Sequence, residues 1–216
     1  MENTTPTAFA SALPKAAPWS LSGSKRLFDI CCALVLCIAA APMMVVLALM
    51  VKASSRGPFL FRQDRIGRNG EEFPVLKFRT MYSHRENNSG PLVTRSGDSR
   101  VTPVGRWLRK WKLDELPQFL QVLTGQMSIV GPRPHAVVHN ERYRAMIQGY
   151  MLRHKVKPGI TGWAQVNGWR GETDTLEKME RRVEYDLTYI RNWALSLDLK
   201  IILLTIFAAV SRRNAY

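Results

Sequence analysis

The run Ile30-Cys31-Cys32-Ala33-Leu34-Val35-Leu36-Cys37-Ile38-Ala39-Ala40-Ala41-Pro42-Met43-Met44-Val45-Val46-Leu47-Ala48-Leu49-Met50-Val51 decides the fold, because it joins 22 residues without a charge. As one helix rising about 1.5 Å per residue it would be about 33 Å long, close to the hydrocarbon thickness of a bilayer. Three readings compete: a cleaved signal segment, a spanning helix, and a hairpin that enters and leaves on one side. The apolar part of a signal segment usually has about 7–15 residues and lies nearer the N-terminus, which sets that reading aside despite Ala39-Ala40-Ala41. Pro42 removes one amide donor and crowds the carbonyl of Ile38, so a kink or break is expected at Ala41-Pro42.

Both flanks of the run are basic. Lys15, Lys25 and Arg26 precede it, and from Lys52 to Lys112 there are fourteen Lys/Arg against five Asp/Glu. Basic flanks stay on the cytoplasmic side, so a re-entrant hairpin satisfies both and a single span satisfies one. Over the whole chain, 31 Lys+Arg against 17 Asp+Glu give a formal charge of +14, and 46% of the 216 residues are hydrophobic. That composition excludes wholesale disorder, a fibre and a disulfide-stapled scaffold, and points to one compact domain that meets anions. Cys31, Cys32 and Cys37 lie inside the apolar run as small hydrophobes, not as metal ligands.

Residues 1–24 read as a mobile tail, 25–52 as the membrane helix and 53–216 as a cytoplasmic catalytic domain. In that domain Phe59-Leu60-Phe61 and Phe73 to Phe78 flank Gly67-Arg68-Asn69-Gly70 and predict a small hairpin. His84 to Thr102 reads as a long loop. Val104 to Lys112 and Glu115 to Leu123 predict helices joined at Leu113-Asp114, followed by helices over Val137 to Tyr150 and Thr175 to Trp193, the latter capped by Asp174 with Glu177. Leu199 to Val210 is apolar, too short to span, and suited to packing or to a membrane surface. The expected fold class is therefore α+β: a mostly helical membrane-associated domain with a small β-hairpin and an N-terminal re-entrant helix.

Asp114 and Glu115 follow four basic residues, Arg106, Arg109, Lys110 and Lys112, and precede Pro117, which suits a first helical turn. Two readings stay open for the pair: a cap with its dipole partner, or a nucleophile beside a ligand for a divalent ion. Gly131-Pro132-Arg133-Pro134 fixes the direction of one guanidinium, either for bidentate phosphate binding or as an exposed charge on a loop. Lys77 and Arg79 alternate with Leu76 and Phe78, either as a phosphate-binding wall or as a solvated face. Trp163, Gln165 and Trp169 can meet a base or sugar, and interfacial Trp against lipid headgroups is an equal alternative. His84, His135, His139 and His154 have no metal-ligand spacing, and no Gly-rich phosphate loop is present.

Lys77-Phe78-Arg79-Thr80-Met81, Leu113-Asp114-Glu115-Leu116-Pro117-Gln118, Gly131-Pro132-Arg133-Pro134 and Lys157-Pro158-Gly159-Ile160-Thr161-Gly162 occur in an order that resembles the bacterial sugar transferase family, the monotopic phosphoglycosyl transferases, over about residues 24 to 216. Val166-Asn167-Gly168-Trp169-Arg170-Gly171-Glu172-Thr173-Asp174-Thr175 looks most like members that pass glucose-1-phosphate to undecaprenyl phosphate. The resemblance implies that a UDP-sugar and undecaprenyl phosphate give undecaprenyl-diphosphate-sugar and UMP with Mg²⁺, opening exopolysaccharide or capsule synthesis at the bacterial inner membrane.

On this sequence the resemblance implies that Asp114 is the nucleophile, forming an acyl-phosphate sugar intermediate, and that Asp114 and Glu115 hold Mg²⁺. Arg109 would hold the lipid phosphate, and Arg133, Lys77 and Arg79 would bind substrate phosphates. Lys157, Thr161 and Gln165 are candidates for donor binding. The family's helix breaks at a Ser-Pro pair, where this sequence has Ala41-Pro42. Larger relatives carry extra N-terminal transmembrane helices, so this chain is expected to be the minimal catalytic form. Expected partners are the UDP-sugar, undecaprenyl phosphate and inner-membrane lipid, with no nucleic acid; a homo-oligomer is compatible with the sequence, and glucose and galactose are not separated by it. The competing class is a membrane-tethered binder of anions without chemistry, which leaves an acidic pair in the most basic stretch unexplained.

Overall fold

The computed structural model describes residues 22–83, 98–171 and 175–210. The expected tail up to residue 21, the loop from 84 to 97, His84 and the proposed cap Asp174 lie outside the described residues.

The first helix, α1 (Gly23–Ser54), starts where the Ser22 hydroxyl accepts from the Lys25 amide at 3.2 Å. At about 1.5 Å per residue it is about 48 Å long, and among the described residues it is the one helix long and apolar enough to cross a membrane. It runs through Ala41-Pro42 as a single helical element, so the expected break is not a departure from helical backbone. A buried stripe at Lys25, Asp29, Ala33 and Cys37 returns at Leu47 and Val51, while Ala41, Pro42 and Met43 between them are exposed.

The hairpin forms as expected. Strands β1 (Leu60–Ile66) and β2 (Glu72–Phe78) pair antiparallel, with Leu60 opposite Phe78 and Ile66 opposite Glu72. β1 is longer than its apolar start suggests because Arg62, Gln63, Asp64 and Arg65 continue it in ladder register. The turn takes Asn69 and Gly70 into the left-handed region, at φ 59° and 83°.

Helix α2 (Pro103–Trp111) is capped by the Thr102 hydroxyl, which accepts from the Gly105 amide at 2.8 Å, and it ends at Lys112 in the left-handed conformation. A 3₁₀ turn, Leu113–Glu115, leads through Leu116-Pro117 into α3 (Gln118–Leu123). Strand β3 (Ser128–Val130) pairs parallel with β4 (Gly159–Thr161). Between them α4 (Val137–Arg144) stops short of the expected Tyr150; Gly149 takes a left-handed φ of 77° and a 3₁₀ turn follows over Tyr150–Lys155. A short α5 (Trp163–Val166) precedes α6 (Leu176–Arg191), whose cap is Thr175, its hydroxyl accepting from the Lys178 amide. The last helix, α7 (Leu195–Val210), begins earlier than its apolar run because Asp198 is buried in its first turn.

The main core joins Ala33 of α1 to Phe73, Val75, Val122, Ile129, Tyr189, Trp193 and Ile201, so α1, the hairpin, α3, β3, α6 and α7 share one interior. A second cluster packs Leu47 and Val51 of α1 against Phe78 and Leu108. Arg79, 3% exposed, ties the end of α1 to the end of β2. It donates to the carbonyls of Ser55 at 2.6 Å and Val51 at 3.4 Å, to the Ser55 hydroxyl at 2.9 Å and to the Pro58 carbonyl. The last carbonyls of a helix have no partner within it, and a guanidinium fork can serve several at once. Arg79→Lys keeps the charge and loses the fork, so it should cost about 2 kcal/mol and lower the thermal midpoint by about 5 °C; an unchanged melting curve in detergent would refute this role.

Candidate active site

The acidic pair is set by how α2 meets the hairpin. A side chain on Gly105 would strike the backbone of Thr80, and the Thr102 amide donates to the Thr80 carbonyl at 2.9 Å, so α2 seats directly on the chain leaving β2. One turn further along the same face, Arg109 donates from Nε to the Thr80 hydroxyl at 2.8 Å. The left-handed Lys112 then closes α2 and turns Asp114 and Glu115 into the 3₁₀ turn. The pair does not occupy the first turn of a helix as expected: α3 begins three residues later, at Gln118, and so supplies no N-terminal dipole at Asp114.

Arg133 arrives from the other side. Gly131 lies against the backbone of Lys157 and Gly159, where a Cβ has no room. Its amide donates to the Thr161 carbonyl, and the Gly159 amide to the Pro132 carbonyl, both at 2.9 Å, so the parallel ladder runs on into the Gly131-Pro132-Arg133-Pro134 turn. Arg65 of β1 donates to the Pro134 carbonyl at 3.0 Å, and the buried Arg153 donates to the Arg133 carbonyl at 2.7 Å while paired with Asp186 at 2.6 Å. The Arg133 guanidinium then reaches Glu115, with Nη2 at 2.6 Å from Oε1 and Nη1 at 3.4 Å from Oε2. Lys77 adds its ammonium at 2.8 Å from the same Oε1.

The two carboxylates have opposite electrostatics. Burial would raise the Glu115 carboxyl, but Arg133 and Lys77 outweigh it and hold the group well below its ordinary range. Asp114, 8% exposed, makes no ion pair among the described residues. Burial and then the neighbouring Glu115 charge push its carboxyl up, against Lys77 and Arg109. One group is a fixed, doubly paired anion and the other is a carboxylate available for chemistry.

Two further cations act on the pair, one from the basic run before it and one from far along the chain. Lys112 is drawn down to about 8 by burial and by Arg170, against Glu115 and Asp114. Arg170 is lowered by burial and by Arg133, with Glu115 and Asp114 opposing. Lys112 was legible as part of the basic run before Asp114. Arg170 lies 56 residues beyond that carboxylate and comes to it only through the tertiary fold.

Other expected residues are used elsewhere. Arg79 is committed to the end of α1 and is not part of a phosphate-binding wall. The charges acting on Lys157 are Arg26, Asp29 and Arg68, none of which surrounds Asp114. Thr161 spends its hydroxyl on Thr205 of α7 at 2.7 Å. Gln165 donates to the Ile160 carbonyl at 3.3 Å and keeps a buried Oε1 without a hydrogen-bond partner among the described residues. Trp163 packs on the main core beneath the Lys200 ammonium, and Trp169 lies 6.5 Å from Tyr185. His135 and His154 are buried; burial and Arg153 hold His135 well below its ordinary value and His154 at about 3.

Among the described residues no three His, Cys, Asp or Glu side chains gather as a metal cage. Mg²⁺ needs less, since one or two carboxylates suffice when substrate phosphates complete its shell. Asp114, with no ion pair, and Glu115, whose Oε2 carries only a 3.4 Å contact, are a hard-oxygen donor set of that kind.

Residues 20–212 match the family model for bacterial sugar transferases. The chain is 59% identical over 192 residues to a UDP-glucose:undecaprenyl-phosphate glucose-1-phosphate transferase of Klebsiella pneumoniae, covering 89% of this chain and 41% of that protein. It is 57% identical over 200 residues to the protein of the same name in Escherichia coli K12, covering 91% and 43%. It is also 40% identical over 195 residues to an exopolysaccharide production protein PSS of Rhizobium leguminosarum, covering 89% and 98%. The chain spans about two fifths of the length of the first two relatives. Because the match takes in every described element from α1 to α7, the chain belongs to the bacterial sugar transferase family.

Proposed function

We propose that this chain transfers a sugar-1-phosphate, with glucose favoured, from a UDP-sugar to undecaprenyl phosphate, releasing UMP. The observation that carries the reading is the contrast within one acidic pair: Glu115 doubly paired by Lys77 and Arg133, and Asp114 buried beside it without an ion pair. In the first step an Asp114 oxygen attacks the sugar-bearing phosphorus as the bond from that phosphorus to the UMP oxygen breaks, leaving an aspartyl phosphosugar and free UMP. In the second, an oxygen of undecaprenyl phosphate attacks the same phosphorus and the bond to Asp114 breaks. Lys77, Arg109, Lys112, Arg133 and Arg170 offset the charge of two polyanionic substrates around that phosphorus. Asp114 and Glu115 would hold Mg²⁺, which when bound neutralises charge on the phosphates being cleaved.

The preference for glucose is supported by the names of the 59% and 57% identical relatives; a 40% identical relative from Aeromonas hydrophila is named for N-acetylgalactosamine, so the donor varies within the family. The re-entrant form of α1 has its own support. Arg26 donates to the carbonyls of Val122 and Leu123 near one end of α1, while Val51 packs on Phe78 near the other. A straight helix would hold those grips about 37 Å apart, whereas the Leu76 amide donates to the Gln121 side chain at 2.8 Å, which puts β2 two residues from Phe78 against α3 next to Val122. A bend at the exposed Pro42 would bring both ends to one face, with the catalytic domain on the cytoplasmic surface of the inner membrane.

Purified protein in detergent, given undecaprenyl phosphate, Mg²⁺ and one UDP-sugar at a time, should release UMP from UDP-glucose at least about tenfold faster than from UDP-galactose. Chelation should reduce release to background, and added Mg²⁺ should restore it. Silence with every UDP-sugar from folded protein would leave a tethered anion binder as the reading.

A further inference from the structure

A cavity of about 100 Å³ opens at the foot of α1, where Lys25, Arg26, Asp29, Arg68, Lys157 and Trp193 line it. Its charge is unbalanced. Lys25 pairs with Asp29 at 3.0 Å and Asp198 at 2.8 Å, a triad with one negative charge to spare against the three positive charges of Arg26, Arg68 and Lys157. Arg26 gives one hydrogen bond each from Nη1 and Nη2 to the Val122 and Leu123 carbonyls, which leaves its charge and its other N–H groups. Arg68 and Lys157 form no ion pair among the described residues, and Asp29 is already taken by Lys25, the Ser128 hydroxyl and the Ile129 amide. The cations also converge: a Cβ built on Gly125 would stand 3.4 Å from Arg26 Nη2 and 3.5 Å from Lys157 Nζ.

Three like charges directed at one small space repel one another unless an anion joins them. Consistent with that, Lys157 is pushed down by burial and by the Arg26 and Arg68 charges. A fork-shaped guanidinium beside a point-charge ammonium is a donor set suited to phosphate oxygens. The depth of the cavity suggests the source. Arg26 precedes the uncharged run by four residues, and Leu27, Leu34 and Val35 on α1 are exposed, so the cavity would lie at headgroup level beside an inserted helix.

We propose that this cavity binds a phosphate group, presented by an anionic lipid headgroup at the membrane surface where α1 enters. The site is separate from Asp114, since none of Asp114, Glu115, Lys77 or Arg133 lines the cavity. The choice of a lipid as the source rests on α1 lying in a bilayer; the phosphate chemistry does not.

The test titrates the full chain in neutral detergent with short-chain phosphatidylglycerol, short-chain phosphatidylcholine or inorganic phosphate, and compares wild type with Arg68→Gln, Lys157→Gln and the double variant by calorimetry. Phosphatidylglycerol should bind wild type saturably, about fivefold more weakly in each single variant and more weakly still in the double, while phosphatidylcholine should not saturate. Equal affinity for inorganic phosphate would keep the site and assign it to a soluble phosphate. Equal binding by wild type and the double variant, or no difference between the two lipids, would overturn the proposal. Because no turnover is read, failure of the proposed transferase reaction would leave this titration untouched.

Discussion

Asp114→Asn should abolish UMP release, by at least about 10³-fold, and leave the protein folded. Asparagine keeps the shape and one carbonyl oxygen but cannot form the bond to phosphorus. With donor and no acceptor, wild type should gain the mass of one sugar phosphate and the variant should gain nothing. The stability readout separates lost chemistry from lost structure. Burial and the Glu115 charge raise the Asp114 carboxyl above its unfolded value, so its charged form opposes folding at neutral pH. Removing that charge should leave the thermal midpoint at or above that of wild type. In wild type this penalty disappears as pH falls through the raised value, and attack on phosphorus, which needs the ionised form, should fail in the same window. The acid limb of kcat/KM, which reports the substrate-free protein, should therefore lie above the ordinary aspartate value of about 3.9. Glu115 is held low and stays charged throughout that window. Turnover in the variant within tenfold of wild type would remove Asp114 from the role of nucleophile.

The members of the acidic cluster were more legible than the architecture that gathers them. Asp114, Glu115, Arg133 and Lys77 stood out because each belongs to a short local pattern, and the fold brings all four together. Alternation along a strand gave no warning of Arg79, because it says which residues share a face and nothing about what packs there; the end of α1 takes that guanidinium. Lys157 shares a motif with Thr161, but a turn carries it to the foot of α1. Arg170 lay within the quoted Val166 to Thr175 stretch, but nothing local tied it to Asp114 and Glu115, which are distant in sequence. Boundaries failed for similar reasons. β1 runs on through polar residues because β2 supplies its ladder, and α7 starts before its apolar run because buried partners await Asp198.

Those partners make Asp198→Ala the substitution with the largest expected effect on stability. The Asp198 side chain is fully buried and accepts from Tyr189 at 2.7 Å, from Trp193 Nε1 at 3.1 Å and from the Lys25 ammonium at 2.8 Å. Lys25 in turn holds Asp29, which accepts from Ser128 and Ile129 of β3. One network thus joins α1, β3, α6 and α7 where the long apolar helix meets the domain. Removing the carboxylate leaves the Tyr189 phenol only the Val130 carbonyl at 3.0 Å and strands a buried indole N–H and part of an ammonium, and breaking a buried pair from one side costs about 3–5 kcal/mol. For a chain of this size the thermal midpoint should fall by about 10 °C. Asp198→Asn keeps an acceptor for Tyr189 and Trp193 and should lose less than half as much, which separates the hydrogen bonds from the ion pair. A midpoint within about 2 °C of wild type for Asp198→Ala would mean that apolar packing around Ala33 and Ile201, not this network, attaches the helix to the domain.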